Sequence, residues 1–319
     1  MSKTNPVRSG LLLLLVGGVV GYGLGLGIDS LVTGSLHFSG SVASAFALLL
    51  AVSAFFFGLY GYRGITRGLV WQVAGTLLGG FFVTGIRLLL GKTDILGGFF
   101  FSEPAWVFGA LTGVISFIFG VGVVDDWVKW ARGIDTPEHH EDEPGWEKYF
   151  SVSLDHKVIG IQYTITALAL IAIGGTFALI FRTELAHSGL QFLTLDLRLF
   201  NQNGPQIYNT LMSLHGMIMI VSILLGVSGI INYVVPLLLG ARDMAFPRMN
   251  AFAFWIAVPA SVLLLMALVL GGFDTGWTGY PPLSARAPVG VQMFFLGVFT
   301  AGWASILGAL NVMIGRAHV

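Results

Sequence analysis

The chain has 319 residues, 55% of them hydrophobic and 10% charged, against about 25% charged in an ordinary soluble domain, which excludes a water-soluble globular protein. Sixteen basic residues balance sixteen acidic ones, so charge gives no argument for nucleic acid. With no cysteine there is no disulfide, thiolate metal site or iron–sulfur cluster, which leaves His, Met and carboxylates as metal ligands.

Eight apolar runs are long enough to cross a hydrocarbon core of about 30 Å, which takes roughly 20 residues. They lie near Leu11–Leu31, Val42–Tyr62, Leu69–Leu90, Ala105–Val124, Val158–Phe181, Ile207–Leu239, Ala251–Leu270 and Val289–Ile314. Lipid cannot satisfy backbone polar groups, so each run is expected to be helical, and the runs are too continuous for a membrane barrel. The expected fold class is therefore all-α, a polytopic membrane helical bundle of about eight transmembrane helices. Lys and Arg set its orientation. Lys3, Arg8, Arg63, Arg67, Lys129, Arg132, Lys148, Lys157, Arg242, Arg248 and Arg316 fall on one side; Lys92, Arg198 and Arg286 are the chief ones opposite, with Arg87 and Arg182 close enough to helix ends to snorkel. This places both termini in the cytoplasm.

Residues 1–124 hold four of the runs and little chemistry. Gly17, Gly21 and Gly25 recur every four residues, as do Gly109 and Gly113, the small-residue spacing of close helix packing. The alternating glycines from Gly21 to Gly25 are not a nucleotide loop, because no strand precedes them. Asp29, Arg87 and Asp94 sit at span ends, where solvated or snorkelling charges are ordinary. This part is expected to be a membrane module of unknown role. Residues 125–153 form a polar cytoplasmic linker. Asp126, Trp127, Lys129, Trp130 and Arg132 in it mix charge with aromatic anchors, as in a helix lying at the interface. His139 and His140, beside Glu138, Glu141 and Asp142, could bind a divalent metal, but neighbours in an acidic loop lack fixed geometry, and a solvated linker is the plainer reading.

Residues 154–319 form the third part. In its second span, His215 stands among apolar residues, LHGMIM. An imidazole there hydrogen-bonds across helices, relays protons or ligates a metal. If the helix enters the membrane near Ile207, His215 lies on the order of 12 Å deep at 1.5 Å per residue.

An ordered set of strings runs through this part: DHK at 155–157, RTEL at 182–185, YN at 208–209 with LHG, NY at 232–233 then Pro236, GARDMAFPRMN at 240–250, GWTGYPP at 276–282, and SILGALN at 305–311. Together they resemble the start of the catalytic core of subunit I of the haem-copper cytochrome c oxidases. The resemblance implies that His215 is an axial ligand of a low-spin haem, with haem A expected, Gly216 leaving room for the macrocycle and Arg182 near its substituents. It implies that Trp277 and Tyr280 belong to the loop over the haems, and that Glu184 matches a structural cation site for Ca or Na. Asp243 would be the mouth of an aspartate-gated proton channel continued by Asn232, Asn250, Ser305 and Asn311. For Asp243 the alternative is a pair with Arg242 or Arg248. For Arg182 it is snorkelling; for Gly216, a generic packing glycine; for Trp277 and the prolines near it, interface anchoring and a rigid turn.

Only His215 of the seven histidines falls inside a predicted span. The second low-spin ligand, the high-spin ligand and the copper ligands are thus expected from elsewhere, which suggests the N-terminal part of a split or truncated subunit, or a partial reading frame. Copper and a second haem would come only with those further helices. The implied partners are the remaining subunit I helices, oxidase subunits II and III, cytochrome c or quinol as donor, and the lipid of a prokaryotic plasma membrane or another energy-transducing membrane. The alternatives are a quinol oxidase portion and a non-catalytic assembly or anchoring protein.

Overall fold

A computed structural model describes residues 6–33, 41–93, 101–136, 145–200 and 202–317. Asp94, Glu138, His139, His140, Glu141, Asp142 and the side chain of Asp29 lie outside the described residues. Ten α-helices are present among those described. Eight are long: α1 (Pro6–Thr33), α2 (Ser41–Tyr60), α3 (Gly64–Leu89), α4 (Glu103–Val121), α6 (His156–Glu184), α7 (Gly204–Leu239), α8 (Pro247–Val269) and α10 (Val289–Ala317). Seven of these are long and apolar enough to cross a membrane over their described residues, and α2 contributes the apolar stretch Leu50–Tyr60. The protein is an all-α polytopic membrane bundle; its only described strands, β1 (Arg198–Leu199) and β2 (Gln202–Asn203), form a two-residue antiparallel ladder.

Most of the long helices start before the apolar runs, and at α6 and α7 a polar side chain caps the added turn. α7 opens with a capping box, in which Asn203 Oδ1 accepts from Gln206 N at 3.0 Å and Gln206 Oε1 from Asn203 N at 2.9 Å, satisfying two otherwise orphaned donors. α6 begins behind Asp155, whose carboxylate accepts from Lys157 N at 2.7 Å. α7 stops at Gly240 with φ 67°, a left-handed cap that glycine adopts without strain.

The long helices pack as neighbours in sequence: α1 on α2, α3 on α4, α6 on α7, and α8 on α10. Lipid gives no hydrophobic drive between helices, so contact depends on small residues and interhelical hydrogen bonds. Between α3 and α4, Thr112 Oγ1 donates to Gly75 O at 2.8 Å. Between α6 and α7, a Cβ on Gly160 would lie 2.9 Å from Gly229 O, so the backbones touch there. α4 also lies against α8 and α10, with the buried rings of Phe117 and Trp255 6.2 Å apart. This joins the N-terminal helices to the rest, and α8 becomes the most enclosed span. The segment after α4 forms α5 (Asp125–Ala131) and a 3₁₀ turn at Gly145–Phe150. α9 (Leu283–Arg286) precedes α10.

Candidate functional site

The two ends of α7 carry most of the candidate residues, and Gly204 opens the first. His215 comes eleven residues later, about 16 Å along the helix at 1.5 Å per residue, and its ring is half buried. Its Nδ1 lies 2.9 Å from Gly174 O of α6. A carbonyl only accepts, so Nδ1 carries a proton, and in the neutral ring Nε2 keeps its lone pair. That is the arrangement of a histidine oriented as a ligand by a carbonyl behind it. Phe181 meets the ring edge-on at 5.6 Å. A Cβ on Gly216 would meet nothing nearer than Trp277, at 3.8 Å; packing within the chain does not demand glycine there.

The structure thus brings Trp277 to Gly216, the chain neighbour of His215. Arg182 follows Phe181 but is exposed at the end of α6, and Tyr280 is exposed in the loop after α8. Glu184 is buried and organises a loop: its carboxylate accepts from the backbone N–H groups of Gln191 at 2.7 Å, Phe192 at 3.0 Å and Leu193 at 3.1 Å. Among the described residues, no group of three or more His, Asp or Glu side chains could hold a metal ion.

At the other end, Pro236 has no N–H, which frees the carbonyl four residues earlier, that of Asn232. His156, buried at the start of α6, uses that carbonyl: its Nδ1 donates to Asn232 O at 2.9 Å. Sequence reasoning passed over His156; the signal was an intramembrane proline one turn after Asn232. The Asn232 side chain donates to Ser228 O at 2.9 Å, while its Oδ1 has no partner. Asn250 is buried with neither its Oδ1 nor its Nδ2 partnered. Orphaned amide atoms at such depth are places for ordered water. Asn311 is engaged instead, accepting from Phe246 N at 3.0 Å and donating to Phe246 O at 3.1 Å, which fixes the loop before α8.

Asp243 lies in that loop, partly buried, and accepts from Met244 N at 2.6 Å. Burial pushes its carboxyl above the ordinary carboxylate value, outweighing the Met244 and His156 backbone N–H groups and the His156 ring, with Asp155 adding to the rise. Among the described residues it makes no ion pair, with Arg242 or with Arg248. Ser305 is not part of this group: it is exposed on α10, and six residues turn it about 120° from Asn311.

The family model for cytochrome C and quinol oxidase polypeptide I matches residues 158–318. The chain is similar to cytochrome c oxidase subunit 1 of Thermostichus vulcanus, 43% identical over 187 residues, 57% of this chain and 32% of that protein. It is 44% identical to the Synechocystis protein of the same name over 168 residues, 52% of this chain and 29% of the other. With that of Corynebacterium efficiens it shares 40% identity over 167 residues, 50% of this chain and 27% of the relative. The chain spans about a third of the length of these curated relatives.

Proposed function

The chain belongs to the cytochrome c and quinol oxidase polypeptide I family, and from that premise we propose that it forms part of subunit I of a haem-copper terminal oxidase. In this reading α7 holds a low-spin haem ligand at one end and a proton entry at the other. The observation that carries it is the His215 imidazole, whose Nδ1–H is committed to Gly174 O and whose Nε2 is left as a donor atom. The residues fit a haem: His215 would hold the iron, Gly216 leaves room for the ring, Trp277 lies beside it, and Arg182, which follows Phe181, supplies positive charge near the same end. Bound there, the haem would pass single electrons from an external donor toward the oxygen-reducing centre.

The remaining steps belong to the protein. Asp243 takes protons at the cytoplasmic end of α7, helped by a burial that favours its protonated form. The unpartnered amides of Asn232 and Asn250 order water beyond it, and Asn311 fixes the loop on which Asp243 stands. Haem A is the expected haem. Copper, the second haem and the second axial ligand belong with further subunit I helices, and the assembly includes oxidase subunits II and III in a prokaryotic plasma membrane or another energy-transducing membrane.

The donor is cytochrome c, the substrate in the relatives' name. Quinol is the second reading, since the family description covers both; oxidation of quinol but not of cytochrome c by the purified complex decides for it. The haem assignment is tested by His215→Leu in the assembled oxidase, which should lose the low-spin haem absorption. An unchanged spectrum refutes it. Asp243→Asn should slow proton uptake and turnover with haem content intact.

A further inference from the structure

Arg248 opens α8 five residues after Asp243, near enough in sequence to be its counter-ion. The fold sends the guanidinium elsewhere. Arg248 Nε donates to Asp126 Oδ2 at 2.8 Å, its Nη2 donates to Thr136 Oγ1 at 3.2 Å, and its Cζ stands 4.6 Å from the centroid of the Trp130 ring. All three partners come from the segment that follows α4. That segment is itself braced: Trp130 Nε1 donates to Thr136 Oγ1 at 2.8 Å, Lys129 Nζ lies 3.7 Å from Asp126 Oδ1, and Trp127 packs on Phe252 of α8 at 5.2 Å. The Asp126 and Arg248 side chains are only 11% and 19% exposed, so water screens the pair weakly.

We propose that α5 and its flanking residues act as a charge clamp on the proton entry, holding Arg248 on Asp126 and Trp130 so that the guanidinium does not neutralise Asp243. This rests on the reading of Asp243 as that entry and assigns Asp126 as a positioning residue for it. Among the described residues, the charged groups that act on Asp243 are Asp155, which caps α6, and His156, its first residue; Arg242 beside it is exposed. A cation brought within about 4–6 Å of a carboxylate lowers its pKa by roughly 1–3 units, so a released Arg248 would keep Asp243 ionised where it now takes up a proton. The N-terminal helices thereby have a role beyond anchoring, because they fix the segment that carries the clamp.

The test uses the full chain in the assembled oxidase. Protonation of Asp243 is followed by the infrared carbonyl stretch that disappears in Asp243→Asn, and the pH profile of proton uptake is recorded alongside. Asp126→Asn should move the Asp243 midpoint to lower pH by about one unit or more. Asp126→Glu, which keeps the clamp, should leave it in place. Adding Arg248→Gln to Asp126→Asn should restore the midpoint, because the released charge is gone; a merely structural role for Asp126 gives no such restoration. An unmoved midpoint in Asp126→Asn, or a double variant no better than the single, overturns the clamp. If Asp243→Asn slows uptake while Asp126→Asn leaves the midpoint unmoved, the clamp fails and the entry stands. If the midpoint moves but Asp243→Asn leaves uptake untouched, the clamp holds and the entry reading falls.

Discussion

Asp243 shows how a single side chain is set by opposed effects. Burial disfavours its carboxylate, two backbone N–H groups and the His156 ring favour it, and burial prevails. The folded protein therefore binds this proton more tightly than the unfolded chain does. Its contribution to stability is full below the ordinary carboxylate value of 3.8 and is lost as pH rises through the higher folded value. Asp243→Asn removes that dependence, so its melting temperature should change less between acidic and neutral pH than the wild type's; parallel curves would contradict the assignment. Asn311 makes a different case, as a fully buried amide that satisfies both backbone groups of Phe246. Asn311→Leu would leave the part-buried N–H and C=O of Phe246 without this partner, at up to about 1–3 kcal/mol each. A lower melting temperature and slower proton uptake are expected, with haem content retained.

At the scale of elements, α6 and α7 form the pair that places both candidate sites. Their contact needs glycine at one crossing and not at others. A Cβ on Gly160 would press on Gly229 O and on the backbone of Tyr233, whereas a Cβ on Gly175 would meet nothing within 4 Å. Gly160→Ala should cost about 1–3 kcal/mol, the usual penalty of overpacking, and Gly175→Ala should be neutral, as thermal denaturation in detergent would show. Pro236 is the second device in this pair. Pro236→Ala restores an N–H that competes with His156 for the Asn232 carbonyl. Proton uptake should slow in that variant while the His215 end, more than 20 residues away along α7, keeps its spectrum. A change in the haem spectrum alone would show that the proline acts elsewhere.

Over the whole molecule, the N-terminal helices do not stand apart. α4 lies against α8 and α10, Phe117 is fully buried beside Trp255, and Glu103 Oε2 accepts from Gln292 Nε2 at 3.0 Å. Phe117→Ala should cost about 3–5 kcal/mol through the cavity it leaves. Because that cavity loosens α4 against α8, the loss should be accompanied by protease sensitivity in the segment that follows α4. Cleavage unchanged from wild type would show that the contact does not hold the segment.

The sequence by itself determined the membrane bundle, because a chain this apolar has nowhere else to put its backbone polar groups, and it singled out His215 and Asp243 as candidates through their neighbouring strings. It also marked the span centres closely, but not their first turns, since caps such as Asn203 and Gln206 are polar and fall outside an apolar run. Only the tertiary structure decided which nitrogen of His215 stays free, because the donor's partner, Gly174, is 41 residues away. It alone brought His156 to Asn232 and separated Ser305 from the buried amides. Tertiary structure likewise decided the partner of Arg248. Sequence proximity offered Asp243; folding brought Asp126, 122 residues earlier, into an enclosed position where a paired charge is worth more than an exposed one. Pairing across such distances depends on which helix faces meet, and no local pattern records that.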